Sequence, residues 1–247
     1  MTRNPSKALA LSFHGGPGTG KNYVSTILAD NIFKKGMRSK YVHLISAAQK
    51  YSHEDNRSVY KDMLKEEVEN GAKHCHQSLF IIDDIDKMPA GILDILKPYL
   101  TSYRHLNGIN YRQLIFLFLS NTAAESITKL AIDQWQTGSE RTDIRLKEME
   151  DIISTVSINS KGGFYHSDII YRHMISAYIP FLPLERRHIK QCIRDFLVAK
   201  LYYKREEIPE NKVSKIAGKM TYYPKDVEVF SVYGCKRIEE KVILLIG

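Results

Sequence analysis

Gly15-Gly16-Pro17-Gly18-Thr19-Gly20-Lys21-Asn22 places four glycines, a lysine and an amide within eight positions. Glycines let a backbone curl so that successive N–H groups point inward, a following helix N-terminus adds positive potential, and Lys21 can reach terminal phosphates. The ligand expected is a polyphosphate nucleotide. The stretch fits G-x-x-x-x-G-K-[ST] at every position but the last, where Asn22 stands in place of the hydroxyl residue that ligates magnesium. A chance glycine turn is the alternative, and the apolar run before it and helical pattern after it argue against that. A second reactive pair, Asp83-Asp84, closes the apolar run Ser78-Leu79-Phe80-Ile81-Ile82. Two acids at the carboxyl end of a buried strand need a cation or a water. In that setting Asp83, together with Asn22, would hold magnesium and Asp84 would orient the attacking water. A helix N-cap pair before Asp86 is the bland alternative. Asn121, after the run Leu114 to Leu119, sits where open sheets place ligand-contacting groups and is expected to polarise the lytic water, or else to cap a helix.

The elements that must position these groups follow in order. A strand at Ala8 to Phe13 feeds a helix from Tyr23 to Lys34, stopped by Gly36. A strand at Tyr41 to Ile45 precedes a polar loop, Gln49 to Ser58, and a helix marked by Tyr60, Met63, Leu64 and Val68 that is expected to end at Gly71. The loop holds Asn56-Arg57-Ser58, a glycosylation triplet in a secretory setting. After the acid-tipped strand, Met88-Pro89 opens a helix predicted to run through Leu100. Helices at Ala124 to Trp135 and Leu146 to Val156 bracket an exposed connector, Ser139 to Asp143. Ile179 to Leu184 reads as a strand closed by proline. Beyond Pro183 only helices are predicted, at Glu185 to Lys200, Asn211 to Met220 and Gly234 to Leu245. The expectation is an α/β nucleotide domain over 1–182 and a small helical lid over 183–247.

Bulk properties narrow the classes. The 247 residues suffice for a full core. No apolar run approaches the roughly 20 residues that span a bilayer, and Met1 to Lys7 is too short and polar for a secretory signal. The formal charge of +8 points to nucleic acid only weakly, because Lys and Arg are scattered without a basic block. Cys75, Cys192 and Cys235 lack C-x-x-C spacing and form at most one bridge; on their own, Cys192 and Cys235 read as buried apolar fillers. His74-Cys75-His76 has ligand atoms but no second cluster at metal-site spacing, so it reads as a surface turn. Tyr51 and Tyr222-Tyr223 read as packing residues or partner contacts.

Phosphate loop, acid-tipped strand, strand ending in Asn and helical lid, in that order, resemble the AAA+ ATPases. Within them the chain resembles the torsin family, through Gly18-Thr19-Gly20-Lys21-Asn22, Lys40-Tyr41-Val42-His43-Leu44, Val59-Tyr60-Lys61-Asp62 and Asp86-Lys87-Met88. Phe118-Leu119-Ser120-Asn121, Pro180-Phe181-Leu182-Pro183-Leu184-Glu185 and Gly234-Cys235-Lys236 add to it. The resemblance implies an α/β fold, an AAA+ three-layer parallel-sheet domain followed by a helical lid. It implies ATP with magnesium, Lys21 on the β and γ phosphates, Asp83 on magnesium, Asn121 as sensor 1 and Lys236 as sensor 2. It also implies a redox-responsive Cys192–Cys235 disulfide, a glycan in the Asn56 loop and residence in the endoplasmic reticulum lumen and perinuclear space.

Torsins lack an arginine finger, and Met174 stands at the corresponding position here. The resemblance therefore implies an arginine from a membrane activator of the lamina-associated polypeptide 1 class, such fingers being worth about 10³ to 10⁵ in rate. It further implies chaperone-like protein or membrane remodelling, with homo-oligomers among the expected assemblies. Where torsins carry Asp-Glu, this chain carries Asp83-Asp84, so nucleotide binding is expected to survive better than hydrolysis. A nucleotide-gated binding module is the alternative function, and a nucleic-acid-remodelling AAA+ protein the third. The chain as given starts close to its first strand. It is thus expected to lack the family's upstream helical segment, signal peptide and the hydrophobic anchor through which peripheral membrane association would run.

Overall fold

A computed structural model describes residues 5–51, 53–102 and 108–246. The first four residues of the stretch Met1 to Lys7, and Ser52 of the polar loop, lie outside the described residues. By packing, the chain divides into two compact units: one holds the stretch up to His14 and Lys21–Pro180, the other holds Gly15–Gly20 and the stretch from Phe181 onward. The sequence predicts one boundary, at 182/183; in the structure the glycine loop groups with the second unit.

The first unit is built on β1 (Leu9–Gly15), α1 (Lys21–Ile32), β2 (Val42–Ser46), α2 (Ala47–Lys50) and α3 (Arg57–His74). It continues through β3 (Leu79–Asp83), α4 (Lys97–Leu100), β4 (Ile115–Ser120), α5 (Ala124–Gln136), α6 (Leu146–Asn159), α7 (Asp168–Tyr171) and β5 (Ala177–Phe181). The strands form one sheet in the order β2-β3-β4-β1-β5, with β2–β3, β3–β4 and β4–β1 paired in parallel. Both central strands are continuous apolar runs because both of their faces are covered. Phe80, Ile82, Phe116 and Phe118 join Leu64 and Val68 of α3 in one core cluster. Leu79, Ile81, Ile115 and Leu117 are equally buried outside it, as period-two alternation requires. Register places His43, Phe80 and Phe116 side by side on three strands, with ring centroids 4.6 Å and 5.3 Å apart. Pro180, which cannot donate to a ladder, sits in the edge strand β5.

The second unit contains α8 (Arg186–Ala199), α9 (Glu210–Ala217), β6 (Tyr222–Tyr223), β7 (Phe230–Ser231) and α10 (Ile238–Ile246). Ile189, Ile193 and Leu197 recur one turn apart on α8 and pack with Val213, Ile216 and Val242.

Four details differ from the sequence prediction. The segment 88–100 is not one helix: a 3₁₀ turn, Leu93–Leu96, leads into the single turn α4. Gly91 is in the left-handed region at φ +81° and Pro98 has no N–H, so no α-ladder can run through both. The lid is not all helix, since β6 and β7 pair antiparallel where only helices are predicted. α10 begins at Ile238, which leaves Gly234 to Arg237 in the preceding turn. Tyr51 and Tyr222 are buried, which agrees with their reading as packing residues.

Gly71 does not end its helix either. α3 continues to His74, and a Cβ at Gly71 would lie 2.6 Å from Phe80 Cζ and 2.8 Å from His43 Nε2. The glycine is there for close approach of the helix to the His43–Phe80 stack. Helix propensity alone makes Gly71→Ala stabilising by about 1 kcal/mol. Overpacking makes it destabilising by about 1 to 3 kcal/mol. We expect the second sign, read as a lower denaturant midpoint at unchanged slope.

Candidate functional site

Parallel pairing brings the carboxyl ends of β1, β3 and β4 to one edge of the sheet, and the chemistry of the first unit gathers there. Lys21, the first residue of α1, is only 7% exposed, and its Nζ donates to Asn121 Oδ1 at 3.0 Å. Burial lowers its pKa to about 8, against the opposing pull of Asp83, Asp86 and Asp84. One residue on, Asn22 Nδ2 donates to Asp83 Oδ2 at 2.7 Å, while the other Asp83 oxygen accepts from the Asp84 backbone N–H at 2.8 Å. The Asn22 amide thus takes up the Asp83 carboxylate as a donor and keeps its own carbonyl oxygen as an acceptor.

Asp84 sits in the left-handed region at φ +57°, ψ +39°, and starts a 3₁₀ turn, Ile85–Lys87. Burial, then the charges of Asp83 and Asp86, raise its pKa. Asp84 is thus held as a more basic carboxylate than an ordinary aspartate, which suits a group that orients water.

Two residues of this edge are not singled out by the sequence reading as site groups. Asp86 Oδ1 accepts from the backbone N–H of Asn121 at 3.0 Å and lies 3.4 Å from its Nδ2. The third acid in Asp83-Asp84-Ile85-Asp86 was its signal. His14, near the end of β1, is fully buried; its Nδ1 lies 3.1 Å from the Thr122 carbonyl oxygen and its Nε2 lies 2.7 Å from Ser12 Oγ. A carbonyl only accepts, so Nδ1 carries the proton and the Ser12 hydroxyl donates to Nε2. Burial drops the His14 pKa to about 4, so the imidazole is neutral and adds no charge beside Lys21. Its signal was the period-two series Ala8, Ala10, Ser12, His14.

In the second unit, Gly18 adopts φ +72° and its carbonyl accepts from Cys235 N–H at 3.0 Å. A Cβ at Gly18 would run into the Tyr233 carbonyl, so only glycine fits. Thr19 Oγ1 donates to the Gly16 carbonyl at 2.8 Å and ties the loop across Pro17. Cys235 is bonded to Cys192 of α8, Sγ–Sγ 1.99 Å, and Cys75 is a free thiol. Lys236 is exposed in the turn before α10.

Two family models match this chain: Torsin over residues 1–82, and Torsin-1A, C-terminal domain, over residues 184–244. Together they take in more than half of its length. The chain belongs to the torsin family. Among solved structures, it resembles Hsp104 in a closed state with ATPγS and FITC-casein, at 16% identity and TM-score 0.62, covering 97% of this chain and 40% of that one. A S. cerevisiae Hsp104–ADP complex aligns at 16% identity and TM-score 0.64, again over 97% and 40%. The torsin chain therefore has the AAA+ fold and spans about two fifths of the Hsp104 chains it matches.

Other torsin positions can now be placed. Met174 packs against the core cluster of the first unit, and its carbonyl accepts from Lys7 Nζ at 3.3 Å. Asn56 is exposed immediately before α3. Among the described residues, no group of three or more His, Cys, Asp and Glu side chains is placed to hold a metal, and His74-Cys75-His76 forms no such site. The donors at the sheet edge, one Asp83 carboxylate and one Asn22 carbonyl, fit magnesium, which is typically bound through one or two protein oxygens plus phosphates and waters. No helix among the described residues is long and apolar enough to cross a membrane.

The Lys21 pKa gives a pH test. Phosphate needs the ammonium, and in the free protein this charge is lost as pH rises through about 8. The dissociation constant for an ATP analogue is expected to be flat from pH 6.5 to 7.5 and to rise toward about tenfold per unit above pH 8. Calorimetry across this range reads it, and in Lys21→Ala the weak residual binding should not bend at that pH.

Proposed function

We propose that this torsin is an ATP hydrolase of the endoplasmic reticulum lumen and perinuclear space, binding ATP with magnesium and dependent on an activator for turnover. The observation that carries this reading is the pairing of Lys21 with Asn121 and of Asn22 with Asp83 at one sheet edge. A buried lysine, a magnesium acid and a water-polarising amide are the parts phosphoryl transfer requires, since its catalysis is positioning and charge stabilisation. Magnesium, when bound, supplies the charge that neutralises the phosphate oxygens. Lys21 releases Asn121 Oδ1 and turns its ammonium to the β and γ phosphates. Asn121 then polarises a water, and Asp84 orients it. The backbone N–H groups of Gly15 to Gly20 cradle phosphate oxygens, and Lys236 serves as the lid cation toward the γ-phosphate.

The missing charge is the arginine. Met174 packs against the core with a side chain that carries none, so an activator of the lamina-associated polypeptide 1 class supplies it in trans. Chaperone-like remodelling of protein or membrane, homo-oligomers, a glycan on Asn56 and peripheral attachment through further segments complete the reading. The bond from Cys235 N–H to the Gly18 carbonyl supports a redox role, because breaking Cys192–Cys235 frees the residue that holds the loop.

The second reading, a nucleotide-gated binding module without useful turnover, is favoured by Asp84, whose carboxylate is one methylene short of the family's glutamate. A nucleic-acid-remodelling role rests on net charge alone. Turnover measured with and without the luminal domain of such an activator separates the first two readings. We expect the chain alone to stay below about 0.01 per second and the activated chain to exceed it. Asp84→Glu should raise activated turnover by up to about 10²-fold. Activated turnover still below that level in both proteins would leave the binding module standing. For the disulfide, reductant is expected to shift nucleotide affinity in the native chain and not in Cys192→Ser.

A further inference from the structure

The turn after β3 does not need the Asp86 carboxylate to hold its shape. Lys87 N–H donates to the Asp84 carbonyl at 2.8 Å, Met88 N–H to the Ile85 carbonyl at 3.0 Å, and Gly163 N–H to that same Ile85 carbonyl at 2.9 Å. Ile85 itself is buried, and a Cβ on Gly162 would lie 3.1 Å from Asp86 Cα, so the loop carrying Gly162 is packed directly on the turn. The carboxylate is largely sheltered, its side chain 13% exposed, and its ion pair, to Lys87 at 3.5 Å, runs to a lysine that is 65% exposed. Such a pair contributes little. Beyond the field it exerts on Lys21 and Asp84, the hydrogen bonds of the carboxylate go to Asn121: Oδ1 accepts from its backbone N–H and faces its Nδ2, while Asn121 Oδ1 on the other end faces Lys21 Nζ.

An amide between a carboxylate and an ammonium has one favourable orientation. Reversed, Asn121 would set its oxygen against the Asp86 oxygen and its NH₂ against the Lys21 ammonium, opposed at both ends. We propose that Asp86 is a positioning residue that fixes the Asn121 amide with its oxygen toward Lys21 and the reaction centre, without touching nucleotide itself. The proposal rests on the ATPase reading for its catalytic consequence, but the orientation it assigns exists without turnover. A neutral amide in place of the Asp86 carboxylate still turns an oxygen to the Asn121 backbone N–H, but without the charge it holds Asn121 Nδ2 more weakly and leaves the orientation of that amide to Lys21 alone.

The test is Asp86→Asn, isosteric and uncharged, with Asp86→Glu as the second variant should the first not fold. Side-chain amide resonances of Asn121 in ¹⁵N-labelled protein, identified by their loss in Asn121→Ala, are expected to move or broaden in Asp86→Asn. Activated turnover is expected to drop about 10- to 100-fold with ATP affinity changed less than about threefold. Because Asp86 acts mainly through Asn121, most of the Asp86→Asn penalty should vanish in an Asn121→Ala background, leaving only the loss of its charge near Lys21. Unmoved Asn121 resonances, or a turnover penalty undiminished in that background, would overturn the proposal. If the native chain never turns over, the ATPase reading fails instead, and the resonances alone decide whether Asp86 sets the amide.

Discussion

Everything at the sheet edge follows from burying one ammonium group. Removing Lys21 from water costs several kcal/mol unless it is paired and hydrogen-bonded, and here the compensation comes from Asn121 Oδ1 and from the field of Asp83, Asp84 and Asp86. The acids need support in turn, being like charges crowded at the end of one strand. Asp83 receives Asn22 Nδ2 and the Asp84 N–H, and Asp86 receives the Asn121 N–H. Three carboxylates meet the buried Lys21 ammonium and the exposed one of Lys87, and neutral His14 leaves that balance unchanged, so the edge keeps a small surplus of negative charge.

The sheet supplies the precision this balance needs. Parallel register sets Ile82 opposite Phe118 and His14 opposite Ser120, so the residues that follow each strand emerge at a common level. Side-chain stacking from His43 through Phe80 and Phe116 to Phe118 locks that register across three strands. A slip of one residue would turn every one of those rings to the opposite face.

Much of this was legible in the chain. Continuous apolar runs gave away β3 and β4, and the helix expected over Glu185 to Lys200 is α8 to within a residue at each end. Lys21, Asp83 and Asn121 follow from motif and strand-end position. What stayed hidden depends on tertiary contact. Gly71 looks like a helix stop, and only the proximity of His43 and Phe80 shows that it is a packing glycine. Asp86 looks like one more polar turn residue until its partner just past the end of β4, Asn121, is seen. The pairing of β6 with β7 involves two residues each, too short for any periodicity to register. Grouping of Gly15–Gly20 with the second unit depends on Gly18 meeting Tyr233 and Cys235, contacts between residues more than 200 positions apart.

Residue 84 is asked for two incompatible things. Its backbone is left-handed, a conformation that aspartate and asparagine visit far more readily than longer side chains do. The chemistry proposed for it, orienting a water from the end of a strand, favours the extra reach of a glutamate. Asp84 therefore settles the conflict in favour of the backbone, whereas a glutamate there would hold the turn under tension for the sake of reach. In this torsin the turn after β3 carries the side chain that its left-handed backbone tolerates better, and the proposed hydrolysis has to work across the longer distance this leaves between carboxylate and water.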